Sequence, residues 1–264
     1  PCTPAVRGGS SPNVDRKTRL VWMYAAAMTS CEAVYAQPLI EKLYSQKRDL
    51  LLTGVDSKNR IQKFVSLISE DEGKLGIGLD FSSFDTFRST KLIRDAFSIL
   101  EQNVKHGYYY DSVTGIQKGR SGVADRSRKA FSNIVEYFIN TPILLPNGRV
   151  VKKQCGVPSG SHFTNLIDSI VNRILLTAFG LYHNIRLHDL KTNGDDSAFW
   201  VTDTNADGIL ELASAFFKEY FQMTVNTDKS CIAGMPSQMH VSGTTWMQAQ
   251  PSRTTANWFE LALN

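Results

Sequence analysis

The chain has 264 residues, 42% of them apolar, and a net charge of +4, which is enough for a sizeable core in one large domain or two small ones. That charge is too mild to argue for nucleic acid alone, and no run of residues reads as a membrane span or a signal peptide. Cys2, Cys31, Cys155 and Cys231 are far apart and the five histidines form no ligand pattern, which argues against a zinc site or disulfide framework and for a reducing compartment.

In chain order, residues 1–12 are rich in Pro, Gly and Ser and read as loose. Asp15-Arg16-Lys17-Thr18-Arg19-Leu20-Val21-Trp22 is a basic run alternating into apolar residues. Such a run suits phosphate binding but is more often a solvated surface. Leu75-Gly76-Ile77-Gly78-Leu79 reads as a short buried strand closed by Asp80. Asp85 falls in the turn before a helix, whose stripe is Leu92, Ile93, Ala96, Phe97, Leu100 and Val104, with Ser89 or Thr90 as N-cap. Taken singly, Asp80 and Asp85 are ordinary turn or capping aspartates. Residues 124–139 read as a helix, and residues 143–145 and 149–151 flank a Pro146-Asn147-Gly148 turn as a hairpin.

A Gly/Ser loop over 156–163 then runs into a helix with an apolar stripe of Phe163, Leu166, Ile167, Ile170, Val171, Ile174, Leu175 and Ala178. Thr164, Asp168 and Asn172 recur every four residues and share one face, either a polar ligand groove or a solvent face. Residues 185–190 and 197–201 read as strands, and Asn193-Gly194 between them is a strong hairpin signal. Asp195 and Asp196 follow at its tip. Adjacent carboxylates repel, turn chemistry does not require both, and a divalent cation would make the pair favourable. An amphipathic helix is expected over 207–221, then Val225-Asn226-Thr227-Asp228-Lys229-Ser230, and a final helix from near Thr255. Basic residues gather at 16–19, 118–129 and 149–153, so a basic channel would surround an acidic centre.

Strand-Asp80-x4-Asp85, then Ser159-Gly160-x3-Thr164, then Gly194-Asp195-Asp196 form an ordered series. In this order and spacing the chain resembles the palm of viral RNA-dependent RNA polymerases, with motifs A, B and C. "LDFSSFD", "LIRDAF", "GVPSGSHFTNLIDSIVN" and "NGDDSAFW" are similar to double-stranded RNA virus polymerases of the partitivirus group, with picobirnaviruses as the nearest alternative. The resemblance runs from about Asp15 to the C-terminus. Lys17 and Arg19 then correspond to motif F, which binds the triphosphate. Lys229 corresponds to the motif D lysine, which protonates pyrophosphate, and residues 240–246 resemble motif E.

The resemblance implies an α+β right-hand polymerase palm, an antiparallel sheet backed by the Leu92 and Ile167 helices, with partial fingers and most of the thumb missing. Its segments would be 1–75 (partial fingers with motif F), 76–107 (motif A), 108–155 (fingers insertion), 156–240 (motifs B, C and D) and 241–264 (motif E and the start of the thumb). A chain opening on Pro1 and stopping inside a helix is then expected to be a fragment. The implied reaction is RNA-templated nucleotidyl transfer with two Mg²⁺ or Mn²⁺ ions. Asp80 and Asp195 are the implied metal ligands, with Asp196 assisting and Lys229 as the acid. Nucleotide binding falls to Lys17, Arg19, Asp85, Ser159, Gly160, Thr164, Asp168 and Asn172.

The implied partners are RNA template and product, nucleoside triphosphates and a viral capsid protein, with no membrane, in the virion interior or host cytoplasm. Two alternatives stand beside this reading. A reverse transcriptase would carry an aromatic gate near Asp85 and usually Tyr-x-Asp-Asp at the hairpin. A non-catalytic RNA-binding remnant would keep the fold without a use for the acidic tips. The chain departs from the family at Asp168, where motif B commonly has Asn. The expectation is that Asp85 and Thr164 read the ribose 2′-hydroxyl, with Ser83 another intermediary and Asp168 turned toward a cation or backbone donor.

Overall fold

The computed structural model describes the backbone of residues 1–8, 18–45, 57–86, 89–111, 113–202, 204, 206–241, 244–247 and 250–252. In chain order its elements are β1 (Thr3–Gly8), β2 (Thr18–Met23), α1 (Ala26–Ser45), α2 (Ser57–Val65), β3 (Lys74–Leu79), β4 (Phe81–Ser82), α3 (Thr90–Glu101), β5 (Tyr108–Asp111), β6 (Gly115–Lys118), α4 (Val123–Ile139), β7 (Pro142–Leu144), β8 (Val150–Lys152) and α5 (Thr164–Tyr182). They continue with β9 (His188–Asn193), β10 (Asp196–Thr202), α6 (Ile209–Phe221), β11 (Thr224–Val225), β12 (Cys231–Ala233), β13 (His240–Val241), β14 (Thr244–Met247) and β15 (Gln250–Ser252). The chain divides into two compact units, one drawn from residues 1–9, 16–43 and 88–167, the other from 10–15, 44–87 and 168–264.

In the first unit, β1 pairs antiparallel with β2 from Thr3↔Met23 to Gly8↔Thr18. Residues 3–8 are therefore not loose as expected. Their backbone groups are satisfied by a strand some fifteen residues on, and Cys2 is tied to β7 through Cys2 N–H to Pro142 O at 2.7 Å and Leu144 N–H to Cys2 O at 2.8 Å. The α3 stripe behaves as its spacing predicts, burying Ile93, Ala96, Phe97 and Leu100, and Ser89 caps it by accepting Leu92 N–H at 3.3 Å. The helix ends at Glu101, so Val104 falls in the following turn.

Phe97 meets Phe138 of α4 edge-on at 5.0 Å and Phe163 at 5.2 Å, forming an aromatic core. Outside it, Arg94 binds Glu136 through both guanidinium nitrogens, at 2.5 and 3.1 Å. The expected β7–β8 hairpin is present. The β5–β6 hairpin was not foreseen, because Tyr108-Tyr109-Tyr110 shows no apolar–polar alternation. Asp111 shapes its turn by accepting the Val113 and Thr114 N–H groups at 2.9 and 2.8 Å.

The second unit is built on a four-stranded antiparallel sheet of order β12-β3-β10-β9. Central β3 is buried at every position after Lys74. Its glycines suit close neighbours: a Cβ on Gly78 would stand 2.8 Å from the His240 carbonyl oxygen and 2.9 Å from Cys231 Sγ. The sheet shares a cluster with α2 and the segment after it, in which Ile61, Phe64, Val65 and Ile68 pack with Ala198, Ala233, Met239 and Val241. The α5 and α6 helices meet through Phe179 and Phe217 at 5.7 Å, and Phe217 meets Phe81 at 5.0 Å.

Two boundaries differ from the sequence reading. The strand expected from 185 begins at His188, because Ile185 N–H bonds Gly180 O at 2.8 Å and residues 183–187 close the end of α5. The α6 helix begins at Ile209 rather than 207, after Gly208 in a left-handed conformation with φ 66°. Residues 240–241 and 244–246 enter a three-stranded antiparallel set, β13-β14-β15. The helix expected near Thr255 lies outside the described residues.

Candidate active site

Asp80 follows β3, and the β3–β10 register places Leu79 opposite Ser197. Ser197 Oγ donates to Leu79 O at 3.0 Å, locking that register at the end that carries the carboxylates. On the other side of β10, Asp196 pairs with Asn193 of β9, leaving Gly194 and Asp195 as a two-residue tip. Gly194 has φ 61°, the conformation that such a hairpin demands and that glycine adopts without steric cost.

Both peptide groups of Asp80 are held by the segment singled out for Lys229. Asn226 N–H donates to Asp80 O at 2.9 Å, and Asp80 N–H donates to Ser230 Oγ at 3.2 Å. Lys229 Nζ lies 3.7 Å from Asp80 Oδ2. Burial pushes the Asp80 carboxyl above the usual range, Lys229 opposes this, and Asp195 raises it further. Two carboxylates thus press on one another, with Lys229 the cation beside Asp80.

Helix α5 pins the tip from beneath. Asn172 is fully buried, and its Nδ2 donates to Gly194 O and Asp195 O, both at 3.0 Å. Ser169 Oγ accepts Gly194 N–H at 2.8 Å, and Thr192 Oγ1 donates to Ser169 O at 2.9 Å. Asn172 stands one helical turn after Asp168 in α5, and its amide positions the hairpin. Asn226, Ser169 and Ser230 were missed as site residues, since nothing in a lone Ser or Asn marks a partner more than twenty residues away.

Asp85 sits exposed in a 3₁₀ turn, Phe84–Thr86. Asp168 is 3% exposed, and its Oδ1 is buried without a hydrogen bond. Its expected turn toward a cation or backbone donor is not what the fold provides at that oxygen. Burial first, then Asp85, then Asp195, raise its carboxyl well above the usual range. A group whose folded pKa lies above its unfolded value supports the fold fully at low pH and loses that support as pH rises through the folded value. In metal-free protein, Asp168→Asn should therefore unfold near the same temperature as the unmodified chain at about pH 4, near the unfolded carboxylate range. Its advantage should grow as pH rises. A gap that shrinks with pH in thermal melts would contradict this.

Within the first unit, Ser159 Oγ accepts Trp22 N–H at 3.2 Å, and Thr164 Oγ1 donates to Pro158 O at 2.6 Å. A Cβ on Gly160 would run into the Trp22 carbonyl. Arg19 lies in β2 opposite Arg7, its side chain not among the described atoms, and Lys17 lies outside the described residues.

The model of one protein family, viral RNA-dependent RNA polymerase, matches residues 11–260. The chain belongs to that family. It is 31% identical over 205 residues to the RNA-directed RNA polymerase of Cryptosporidium parvum virus 1 (strain KSU-1), a match over 75% of this chain and 34% of that protein. The crystal structure of a human picobirnavirus RNA-dependent RNA polymerase is similar in fold, with a TM-score of 0.68, 21% identity, and coverage of 88% of this chain and 40% of that one. An insertion-loop deletion mutant of that polymerase gives 0.67 at 20% identity, over 88% and 42%. The chain thus spans about a third of the curated relative it matches. The resemblance to double-stranded RNA virus polymerases holds, and so does the α+β class with an antiparallel sheet.

Among the described residues, no group of three or more Asp, Glu, His or Cys gathers as a ready-made metal cage. Mg²⁺ at phosphoryl-transfer sites takes one or two carboxylates and completes its shell with water and substrate phosphates. Asp80 and Asp195 supply two hard oxygen donors whose mutual repulsion a cation would relieve.

Proposed function

We propose that this chain forms the palm core and part of the fingers of an RNA-templated RNA polymerase, and that it joins nucleotides by metal-dependent nucleotidyl transfer. The observation that carries the reading is Asp80 at the end of β3, beside the hairpin whose tip is Asp195, with Lys229 at 3.7 Å. Membership of the polymerase family supports it independently.

In this reading Asp80 and Asp195 hold two Mg²⁺ or Mn²⁺ ions, with Asp196 assisting. When bound, the ions supply charge neutralisation on the attacking and leaving oxygens. Lys229 passes a proton from Nζ to the leaving pyrophosphate oxygen. Lys17 and Arg19 bind the triphosphate. Asn226 and Ser230 fix the Asp80 backbone, and Asn172 and Ser169 fix the Asp195 tip, so that the site is oriented before substrate arrives. The Thr164 hydroxyl donates to Pro158 O and keeps its lone pairs, so Thr164 of the loop and Asp85 can each accept a hydrogen bond from the ribose 2′-hydroxyl, while Ser159 shapes the loop. RNA, nucleoside triphosphates and a capsid protein are the partners expected from the family. No helix of the described residues is long and apolar enough to cross a membrane.

The test is template-directed extension with ribonucleotides against deoxyribonucleotides, with and without Mg²⁺. Metal-dependent incorporation preferring ribonucleotides supports the reading, and incorporation of deoxyribonucleotides with equal efficiency contradicts it. Asp85→Ala should cut sugar discrimination by about 1–3 kcal/mol, the scale of one lost hydrogen bond to a charged group. Asp168→Asn should change discrimination little. Equal effects of the two would refute this division of roles.

A further inference from the structure

Glu32, on α1, is the most deeply buried acidic side chain outside the Asp80 site among the described residues, at 0% exposure. Among the described residues, no cation offsets its charge. Its Oε2 accepts Ser161 Oγ–H at 2.7 Å and His162 N–H at 3.0 Å. Its Oε1 and the Tyr24 hydroxyl are both buried without a partner at full hydrogen-bond geometry, and the Tyr24 hydroxyl lies close enough to ease the Glu32 charge. Burying a carboxylate on one hydroxyl and one peptide group is costly, and apolar packing would serve stability better. A positional task explains the choice.

That task is visible in what Glu32 grips. Ser159, Gly160, Ser161 and His162 form a loop with high intrinsic backbone freedom, which contacts must remove if it is to present one shape. Four contacts join it to residues 22–32, the stretch that follows Arg19. Trp22 N–H reaches Ser159 Oγ, the Trp22 carbonyl lies against Gly160 Cα, and Glu32 takes Ser161 and His162. Ser161 Oγ in turn accepts Phe163 N–H at 3.1 Å, so the grip passes into the first turn of α5.

We propose that Glu32 is a positioning residue that clamps the Ser159–Ser161 loop against the strand carrying Arg19, so that nucleotide sugar recognition by the loop and triphosphate binding by the strand act as one unit. This rests on the polymerase reading of that loop and strand. Glu32 itself touches no substrate. A glutamine keeps the geometry: its amide oxygen can accept both donors, and its NH₂ can face the neighbouring Tyr24 oxygen. An alanine removes all of it.

The test uses the chain itself, unmodified and as Glu32→Ala and Glu32→Gln. Amide hydrogen exchange over 157–164 should rise about tenfold or more in Glu32→Ala, with His162 foremost, and stay within about twofold in Glu32→Gln, while β3 and β10 are unchanged. The Mg²⁺-dependent binding preference for ATP over dATP should fall about fivefold or more in Glu32→Ala and persist in Glu32→Gln. Unchanged exchange in Glu32→Ala overturns the clamp, and an intact preference with raised exchange overturns its part in sugar recognition. If Glu32→Ala does not fold, Ser161→Ala cuts the same link from the loop side and must raise exchange at His162; failure to do so overturns the clamp equally. If the unmodified chain binds neither nucleotide, the polymerase reading is what fails for this chain, and exchange alone decides the clamp.

Discussion

On the proposed polymerase reading, Asp195→Ala will lower template-directed nucleotide incorporation in active protein by at least about a hundredfold, the scale of losing one electrostatic contact made in the transition state. It will leave the fold in place. Asp195 is exposed at the hairpin tip, and what anchors it is its backbone carbonyl, held by Asn172, which alanine retains. Removing its charge also relieves Asp80, whose carboxyl Asp195 pushes up. The variant should therefore unfold at the same denaturant concentration as the unmodified chain while losing synthesis. Near-normal turnover would remove Asp195 from the mechanism, and loss of folding would make it structural.

Asn172→Ala will do the reverse, destabilising the second unit by about 2–4 kcal/mol, because two hairpin carbonyls lose their donor and a fully buried side chain leaves a cavity. The short contacts are to Gly194 O and Asp195 O at 3.0 Å, with Asp196 O at 3.4 Å, and no water-facing route compensates for a residue with no exposure. Asn172→Asp should be no better, since a carboxylate has no N–H to give and adds a second buried acid near Asp168. Chemical unfolding measures both. A change below about 0.5 kcal/mol, the level of ordinary surface substitutions, would show that the tip does not depend on α5.

Both predictions hinge on distinctions that local sequence signals carry unevenly. The β3 strand ending in Asp80, the Gly194-Asp195 tip, the α3 stripe with its Ser89 cap, α4 and the β7–β8 turn were legible because each is written within a dozen neighbouring residues. The polymerase relationship was legible because three such signals stand in one order. The β1–β2 pairing was not, since Thr3 finds Met23 only once the chain has folded back. Nor was α1, which carries Pro38 within it and lacks a clean apolar stripe.

At the site, spacing placed Asp168 and Asn172 on one face of α5 but could not say what that face meets. It meets the hairpin and two carboxylates. So Asn172 became a clamp, and Asp168 an acid with its carboxyl pushed up. Asn226 and Ser230 hold Asp80 from across the sheet, a pairing of residues about one hundred and fifty positions apart for Ser230. No local pattern encodes such a contact.

The most direct measurement is a crystal structure of the chain grown with Mn²⁺ and a nonhydrolysable ribonucleoside triphosphate, with anomalous scattering used to locate the metal. The expected result is Mn²⁺ with carboxylate oxygens of both Asp80 and Asp195 in its inner shell, at about 2.0–2.3 Å, in a coordination completed by triphosphate oxygens. Metal bound elsewhere, or nucleotide bound with Asp80 still paired to Lys229 and no metal between Asp80 and Asp195, would contradict it.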